Sequence, residues 1–259
     1  MMKLKRHEMI LDMLLKEQSV KNIDLSNILN VSRQTIRNDI EYLDSIGKLK
    51  KVHGGAVIEK KSMEPSLESR RGKSLDEKQA IAEEAAKIIE NGDTIYLDIG
   101  TTVSLMVPYL KDFDDLTVIT NSIYLAYELG NEKNITVICS GGEIRSSELS
   151  LSGRMAMEQL GNYYVDKSFI GVGGISEKAG YTDYHIGESE VRKLMIHHAN
   201  SSVALLDHSK VNVIAVAKYA ELEDIETIVT DSRVPEDFLS FLGKKDIQVI
   251  IADCAENEV

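Results

Sequence analysis

The longest apolar runs of this sequence, such as 213–217, fall far short of the ~20 residues that cross a bilayer. Only two of 259 residues are cysteine and three are proline. Cys139 and Cys254 stand far apart and form no metal-ligand spacing, which excludes a disulfide-stapled miniprotein and leaves two buried thiols in a reducing compartment as the expectation. With so little proline, 43% hydrophobic residues and 28% charged residues, bulk disorder and collagen-like repeats drop out as well. No fixed-period repeat is present. The stretch MMKLKRHEMILDMLLKEQ is charged throughout and reads as the start of an unprocessed, cytoplasmic chain with no membrane partner.

What is present is an uneven charge. The chain carries −12 overall, yet residues 1–57 hold ten Lys and Arg against seven Asp and Glu, so a head of +3 precedes a body of −15. A small basic domain followed by a large acidic one is the simplest division. The polar segment 59–74 (EKKSMEPSLESRRGKS) contains Pro65 and Gly72 and shows no apolar period, so we read 1–58 as the head, 59–74 as a linker and 75–259 as the body.

In the head, Ile10, Leu11, Leu14 and Leu15 recur at helical spacing, followed by Leu25, Ile28 and Leu29, then by Ile36, Ile40 and Leu43. Three short amphipathic helices would share one core. Asn30-Val31-Ser32 is the tight turn of a helix-turn-helix, with Ser32 placed to cap the third helix. If Ile36, Ile40 and Leu43 face inward, Gln34, Arg37, Asn38 and Glu41 face outward with Arg33 on the flank. Beyond Gly47, residues 48–57 alternate around Gly54-Gly55 and predict a two-stranded wing bearing Lys48, Lys50, Lys51 and His53. Arg37 would reach a phosphate or a guanine edge, Gln34 and Asn38 have the donor and acceptor pair that suits adenine, and Ser32 and Thr35 lie where a backbone phosphate would pass. Asp39 has the wrong sign for DNA, which leaves it a structural partner such as Arg6 or Arg33, or an exposed charge.

The body alternates short apolar runs with helical stretches. Ser74 and Glu77 have the spacing of a capping box for a helix that buries Ile81, Ala85, Ile88 and Ile89. Strands are expected at 94–99, 116–120, 135–139, 168–172, 202–206, 213–217, 227–230 and 248–251. This is an α/β body with a mainly parallel sheet, whose ligands bind beyond the carboxyl ends of the strands. Polar turns gather at those ends: 98–102 (DIGTT), Asn121-Ser122, Gly141-Gly142, 171–174 (GVGG) and 207–210 (DHSK). A single such turn has an ordinary backbone explanation. Five in consecutive crossovers suggest a binding site.

The head, from Arg6 through 32–39 (SRQTIRND) to 47–56 (GKLKKVHGGA), resembles the winged helix-turn-helix of the DeoR family of bacterial transcriptional regulators. The body resembles the effector domain of the same family at 64–66, 78–86, 92–102, 117–122, 141–145 with Gly153, 180–182 and 190–196. Three departures stand out: Arg37-Asn38-Asp39 replaces a usual Arg-Arg-Asp, Val191-Arg192-Lys193 replaces a common Val-Lys-Arg, and Arg154 stands where proline often follows Gly153. The resemblance implies a fold like ribose-5-phosphate isomerase and a repressor of a sugar-metabolism operon. It also implies partners: double-stranded operator DNA, a phosphorylated sugar, and further copies of the chain in a dimer or tetramer. On that footing Gly100, Thr101 and Thr102 would hold the phosphate, with Arg192, Lys193 and Lys210 as countercharges. Asp98, Asn121 and Asp207 would meet sugar hydroxyls, with Ser122, Gly141, Gly142, Arg145 and Gly173 around them.

Other readings are weaker. An actin-like sugar kinase would place its phosphate loop near the chain start and needs a second nucleotide lobe. Residues 171–176 lack the third glycine of a dinucleotide fingerprint, and His185, His197 and His198 form no metal-ligand pattern, so neither cofactor nor metal is expected. A sugar-phosphate isomerase fused to a DNA-binding head remains the alternative. It needs an acid and base pair that Asp98, Asp166, Glu188 and Asp207 do not single out. A protein-interaction module would leave the polar strand ends idle.

Overall fold

The computed structural model describes residues 3–17, 19–45, 48–57 and 64–253. Gly47, Cys254 and the first part of the linker at 59–63 lie outside them, as does the side chain of Leu15. The chain divides into two compact units, Met1–Met63 and Glu64–Val259.

In the first unit, helix α1 (Lys3–Glu17) leads through strand β1 (Ser19–Lys21) to α2 (Asn22–Leu29) and α3 (Arg33–Ser45), then to β2 (Lys50–Val52) and β3 (Gly55–Val57). Ile10, Leu14, Leu25, Leu29, Ile36, Ile40 and Leu43 are buried in one core with Val20, Leu49 and Ala56. Ile28 departs from its expected stripe and is 58% exposed. Asn30 ends α2 in the left-handed conformation, and its turn is closed by a bond from the Ser26 hydroxyl to the Val31 carbonyl at 2.7 Å. The wing is three-stranded, in the order β1-β3-β2, because the short break after α1 supplies an outer strand. Gly54 turns at φ +84°, and at Gly55 a Cβ would meet the Val20 carbonyl oxygen at 2.0 Å, so the second glycine is required by the approach of β1.

The second unit begins with α4 (Leu67–Gly72) and α5 (Leu75–Ala86). Then follow β4 (Thr94–Leu97), α6 (Val107–Leu110), β5 (Leu116–Thr120), α7 (Ile123–Leu129), β6 (Ile135–Cys139), β7 (Glu143–Arg145), β8 (Ser150–Ser152), α8 (Gly153–Leu160) and β9 (Val165–Gly171). The remainder runs β10 (Gly174–Ser176), β11 (Gly180–Asp183), α9 (Ile186–His197), β12 (Ala199–Leu205), β13 (Ala217–Ala220), β14 (Thr227–Asp231), α10 (Glu236–Gly243) and β15 (Gln248–Ala252). Seven strands form one sheet in the order β15-β14-β12-β9-β4-β5-β6, and every pairing in it is parallel. Side chains alternate between its faces: Ile95, Leu97, Phe169, Val203 and Leu205 pack with α5, α6 and α7, whereas Tyr96, Ile170, Ala204 and Ile228 pack with α8, α9 and α10. The chain builds outward from β4 to β6, then returns to the other side of β4 with β9. The carboxyl ends of β4 and β9 therefore flank the reversal of strand order, where an open α/β sheet leaves a crevice.

Three expectations need correction. No capping box opens α5: Ser74 is left-handed at φ 53° with no side-chain cap, and Glu77 pairs with Arg233 instead. The run 213–217 is not a strand of the large sheet, and only its last residue, Ala217, belongs to a strand. It follows a 3-10 turn at His208–Lys210, Ala215 donates its amide to the Thr182 hydroxyl at 3.0 Å, and pairing begins only with β13, which lies antiparallel to β11 in a small separate sheet. Cys139, expected to be buried, is exposed at the end of the edge strand β6.

Candidate functional site

The reading face of the head rests on α3. Ser32 Oγ accepts the Thr35 amide at 3.1 Å and meets the Thr35 hydroxyl at 2.8 Å, so the cap and the first turn are held together. Arg33, Gln34, Arg37 and Asn38 are exposed, and Thr35 is half-buried. Gln34 donates to Asn38 Oδ1 at 2.9 Å, which orders the two amides one turn apart and leaves a carbonyl and an NH₂ edge outward. On the opposite face Asp39 is buried and takes Arg6 through two bonds at 2.5 and 3.0 Å and His7 at 2.9 Å. Burial works against the Asp39 charge, but Arg6 and His7 outweigh it and hold the carboxyl below its ordinary range. On the wing Lys48 and His53 are exposed and Lys50 is half-buried, while the Lys51 ammonium lies 2.5 Å from Glu41.

At the reversal of strand order lies a cleft bordered by Gly100, Thr101 and Thr102 from the β4 turn, Gly173 from the β9 turn, and Arg192 and Lys210. Asp98 sits beneath it, 1% exposed, accepting Arg192 Nε at 2.6 Å and the Gly171 amide at 3.0 Å. Burial pushes the Asp98 carboxyl up to about 6, against the pull of Arg192 and of the Ile99 and Gly171 amides. Arg192 also lies 2.8 Å from Asp183 and over the Tyr219 ring at 5.6 Å. Its burial is outweighed by Asp183 and Asp98, which raise its pKa above that of an ordinary arginine. Gly171 and Gly173 are glycine for want of room. A Cβ at the first would meet the Ile99 carbonyl oxygen at 2.7 Å, and at the second Asp183 Oδ2 at 2.7 Å. Among the described residues no ion pair or hydrogen bond holds the Lys210 ammonium; burial lowers its pKa while Asp207 opposes that change.

The structure thus brings Gly100, Thr101, Thr102, Gly173, Arg192 and Lys210 to one cleft above Asp98. Asn121 is fully buried, accepting from Tyr96 OH at 2.8 Å and donating to the Leu151 carbonyl at 3.1 Å, and so is part of the core. Ser122 caps α7 through the Leu125 amide at 3.2 Å and borders a second groove that shares Gly100, Thr101 and Glu148 with the cleft. Gly141 and Gly142 serve the turn from β6 to β7 with positive φ, Asp207 caps the 3-10 turn through the Ser209 amide at 2.9 Å, and Lys193 points outward from α9. The helical pattern after Thr102 is a four-residue 3-10 turn running into α6, so the macrodipole at this loop is short.

Sequence reasoning named Glu188 only as an acid or base of the isomerase alternative, and it missed the rest of the acidic side and α4, the strap that carries Arg70. Glu64, Arg70, Glu148, Asp183 and Glu188 also border the cleft. Arg145 is tied to Glu188 at 2.8 Å and to Glu64. Glu64 and Arg70 were hidden in a segment whose lack of apolar period reads as linker. Among the described residues no cluster of His, Cys, Asp and Glu is arranged to hold a metal ion, and no described helix is long and apolar enough to cross a membrane.

Comparison with known proteins gives two family matches. Residues 6–62 match the DeoR-like helix-turn-helix domain and residues 73–232 match the DeoR C terminal sensor domain. The HTH-type transcriptional regulator GolR of Listeria innocua is 37% identical over 230 residues, covering 88% of this chain and 91% of its own length. The HTH-type transcriptional repressor GlcR of Bacillus subtilis is 34% identical over 250 residues, covering 96% of each. Among solved structures, a ribose 5-phosphate isomerase A from Methanocaldococcus jannaschii is similar at 22% identity and a TM-score of 0.38, over 52% of this chain and 53% of that one.

Proposed function

Because this chain belongs to the DeoR family of helix-turn-helix transcriptional regulators, we propose that it represses a sugar-metabolism operon and that a phosphorylated sugar in the sensor cleft lowers its affinity for operator DNA. One observation carries the effector class. The unpaired Lys210 ammonium and the Gly100–Thr102 turn border the same cleft as the carboxylates of Glu64, Glu148, Asp183 and Glu188. A phosphate monoester needs a cation and convergent donors, whereas a row of sugar hydroxyls needs acceptors, and the two kinds of group face one space. Arg192 serves this reading as a fixed wall, since Asp98 and Asp183 already hold its guanidinium.

On the DNA side, Arg33, Gln34, Arg37 and Asn38 would face the major groove, Ser32 and Thr35 the phosphate at the start of α3, and Lys48, Lys50, Lys51 and His53 the backbone beside the wing. One head offers few phosphate contacts, so the operator-bound form would be a homo-oligomer that sets two heads on successive half-sites in the cytoplasm.

A thermal-shift series with sugar phosphates and their unphosphorylated counterparts tests the effector class. A ligand at 100 times its dissociation constant stabilises the folded state by about 2.7 kcal/mol. The phosphorylated member of one pair should raise the melting temperature, and replacing Lys210 with methionine should remove the effect. Equal shifts from both members of every responding pair would refute the phosphate assignment.

A further inference from the structure

Five charged side chains join the first residues of the sensor unit to the cleft wall. Glu188 is held by Ser150 Oγ at 2.5 Å and pairs with Arg145 at 2.8 Å. Arg145 in turn binds Glu64, Glu64 lies 3.2 Å from Arg70, and Arg70 binds Glu148. Arg70 belongs to α4, which is fastened at both ends. Its guanidinium donates to the Pro65 carbonyl at 3.1 Å, and the buried Lys78 ammonium bonds the carbonyls of Arg70 and of Lys73, the latter at 2.7 Å. Three carboxylates share two guanidinium groups, and four of the five residues border the cleft.

Within this set of five no positive charge is spare. Lys210, across the same lining, offers one cation to a dianion; for the second charge to be met at Arg70, which would otherwise take the set from −1 to −3, a carboxylate has to give up its place on that arginine. The three carboxylates are not equally free to leave. Glu188 and Glu148 have side chains 2% and 4% exposed inside the sensor fold, while Glu64 is 16% exposed and is held by the two arginines. Glu64 is also the residue at which the sensor unit begins.

We propose that a dianionic ligand in the cleft takes Arg70 from Glu64, so that Arg70 is a ligand-binding residue supplied by the strap and Glu64 is the displaced competitor that reports occupancy toward the DNA-binding unit. The inference rests on the reading of the cleft as a phosphate site. It assigns α4 a task that a passive linker lacks: Arg70 ties the strap to Glu64 when the cleft is empty and to the anion when it is filled, which releases Glu64 and the N-terminal end of α4 beside it.

The test uses the full chain, with inorganic phosphate, glucose 6-phosphate, fructose 6-phosphate and ribose 5-phosphate as probes. Binding is read by calorimetry and the strap by amide hydrogen exchange over 66–72. For a probe that binds the wild type, Glu64→Gln should bind it at least fivefold more tightly, because the competitor has lost its charge, and Arg70→Met should weaken it at least tenfold. The same probe should speed exchange over 66–72 in the wild type, while the Glu64→Gln strap should exchange fast without ligand. Glu64→Ala should reproduce both results, which covers a glutamine that rebuilds its bond to Arg145. Wild-type binding with no tightening in either Glu64 variant and unchanged exchange would overturn the inference and leave the phosphate reading standing. No response of wild type or variants to any of the four probes would overturn both.

Discussion

Arg192 donates to Asp98 at 2.6 Å beneath the crevice where the strand order of the parallel sheet reverses. The pair joins α9 to the end of β4, and the Gly171 amide on the same carboxylate adds the end of β9. Three elements distant in sequence thus meet on one carboxyl group, and the floor of the cleft is fixed before any ligand arrives. Removing the guanidinium while keeping the bulk, as in Arg192→Met, would leave Asp98 and Asp183 buried without their counterion. The expected loss is about 3–5 kcal/mol of stability, measured by urea unfolding. A variant as stable as the wild type would show that the pair contributes little.

The same pair sets a pH dependence. Asp98 is raised from 3.8 to about 6 in the folded chain, so between those values the folded state binds more protons than the unfolded one. Stability from this group is full below about pH 4, falls as pH rises through 6 and is flat above. Asp98→Asn removes the titrating group and should flatten that part of the stability profile. Unfolding curves measured from pH 4 to 7 that stay parallel for wild type and variant would contradict the assignment.

In the head, Asp39 has the opposite sign of shift. Its carboxyl is held below the ordinary range by Arg6 and His7, so its contribution is present above that range and is lost as pH falls through the folded value. Asp39→Ala would remove the carboxylate that Arg6 and His7 share and should destabilise the head by about 1–3 kcal/mol. The ellipticity of the helical head on acid titration is the check, and an unchanged acid midpoint would argue against the triad.

DNA recognition separates into two signatures. Arg37→Ala should cost about 1–3 kcal/mol on the specific operator and relax preference at one position, whereas Lys48→Ala should weaken all sequences alike and lower the salt slope by about one. Lys51→Ala should do less than Lys48→Ala, since its exposed pairing with Glu41 has to be broken before it can meet a phosphate. Gel-shift titrations over a range of salt distinguish the two. Equal effects of Arg37→Ala on specific and random duplexes would remove it from base reading.

Much of this architecture was legible as periodicity. The buried stripes of α1 and α3, the Asn30 turn and most strands of the large sheet follow from apolar spacing and turn residues. The misses share a physical cause: each depends on a distant partner. Ser19–Lys21 becomes a strand only because β3 offers an edge and Gly55 allows the approach. The run 213–217 has strand composition, but only Ala217 pairs, and its partner is Asp183 of the small β11 sheet. Thr101, Thr102 and Lys210 could be gathered into one cleft from the sequence because they stand at strand ends, whereas Arg70 and Glu64 reach it through Glu148 and Arg145, some eighty residues away. Asn121 looked like a ligand group for the same strand-end reason and is instead a hydrogen-bond partner of Tyr96.

If one anionic effector, held in the sensor cleft, governs DNA affinity, fluorescence anisotropy will show it with a labelled operator duplex obtained by in vitro selection on the full chain and titrated in the presence of each sugar phosphate or its unphosphorylated sugar. One phosphorylated sugar should weaken operator binding at least tenfold, and its parent sugar should leave it unchanged. The double replacement Thr101→Val and Thr102→Val, like Lys210→Met, should bind operator normally but no longer respond. Release of DNA by the same sugar phosphate from these variants at the wild-type concentration would place the effector outside this cleft.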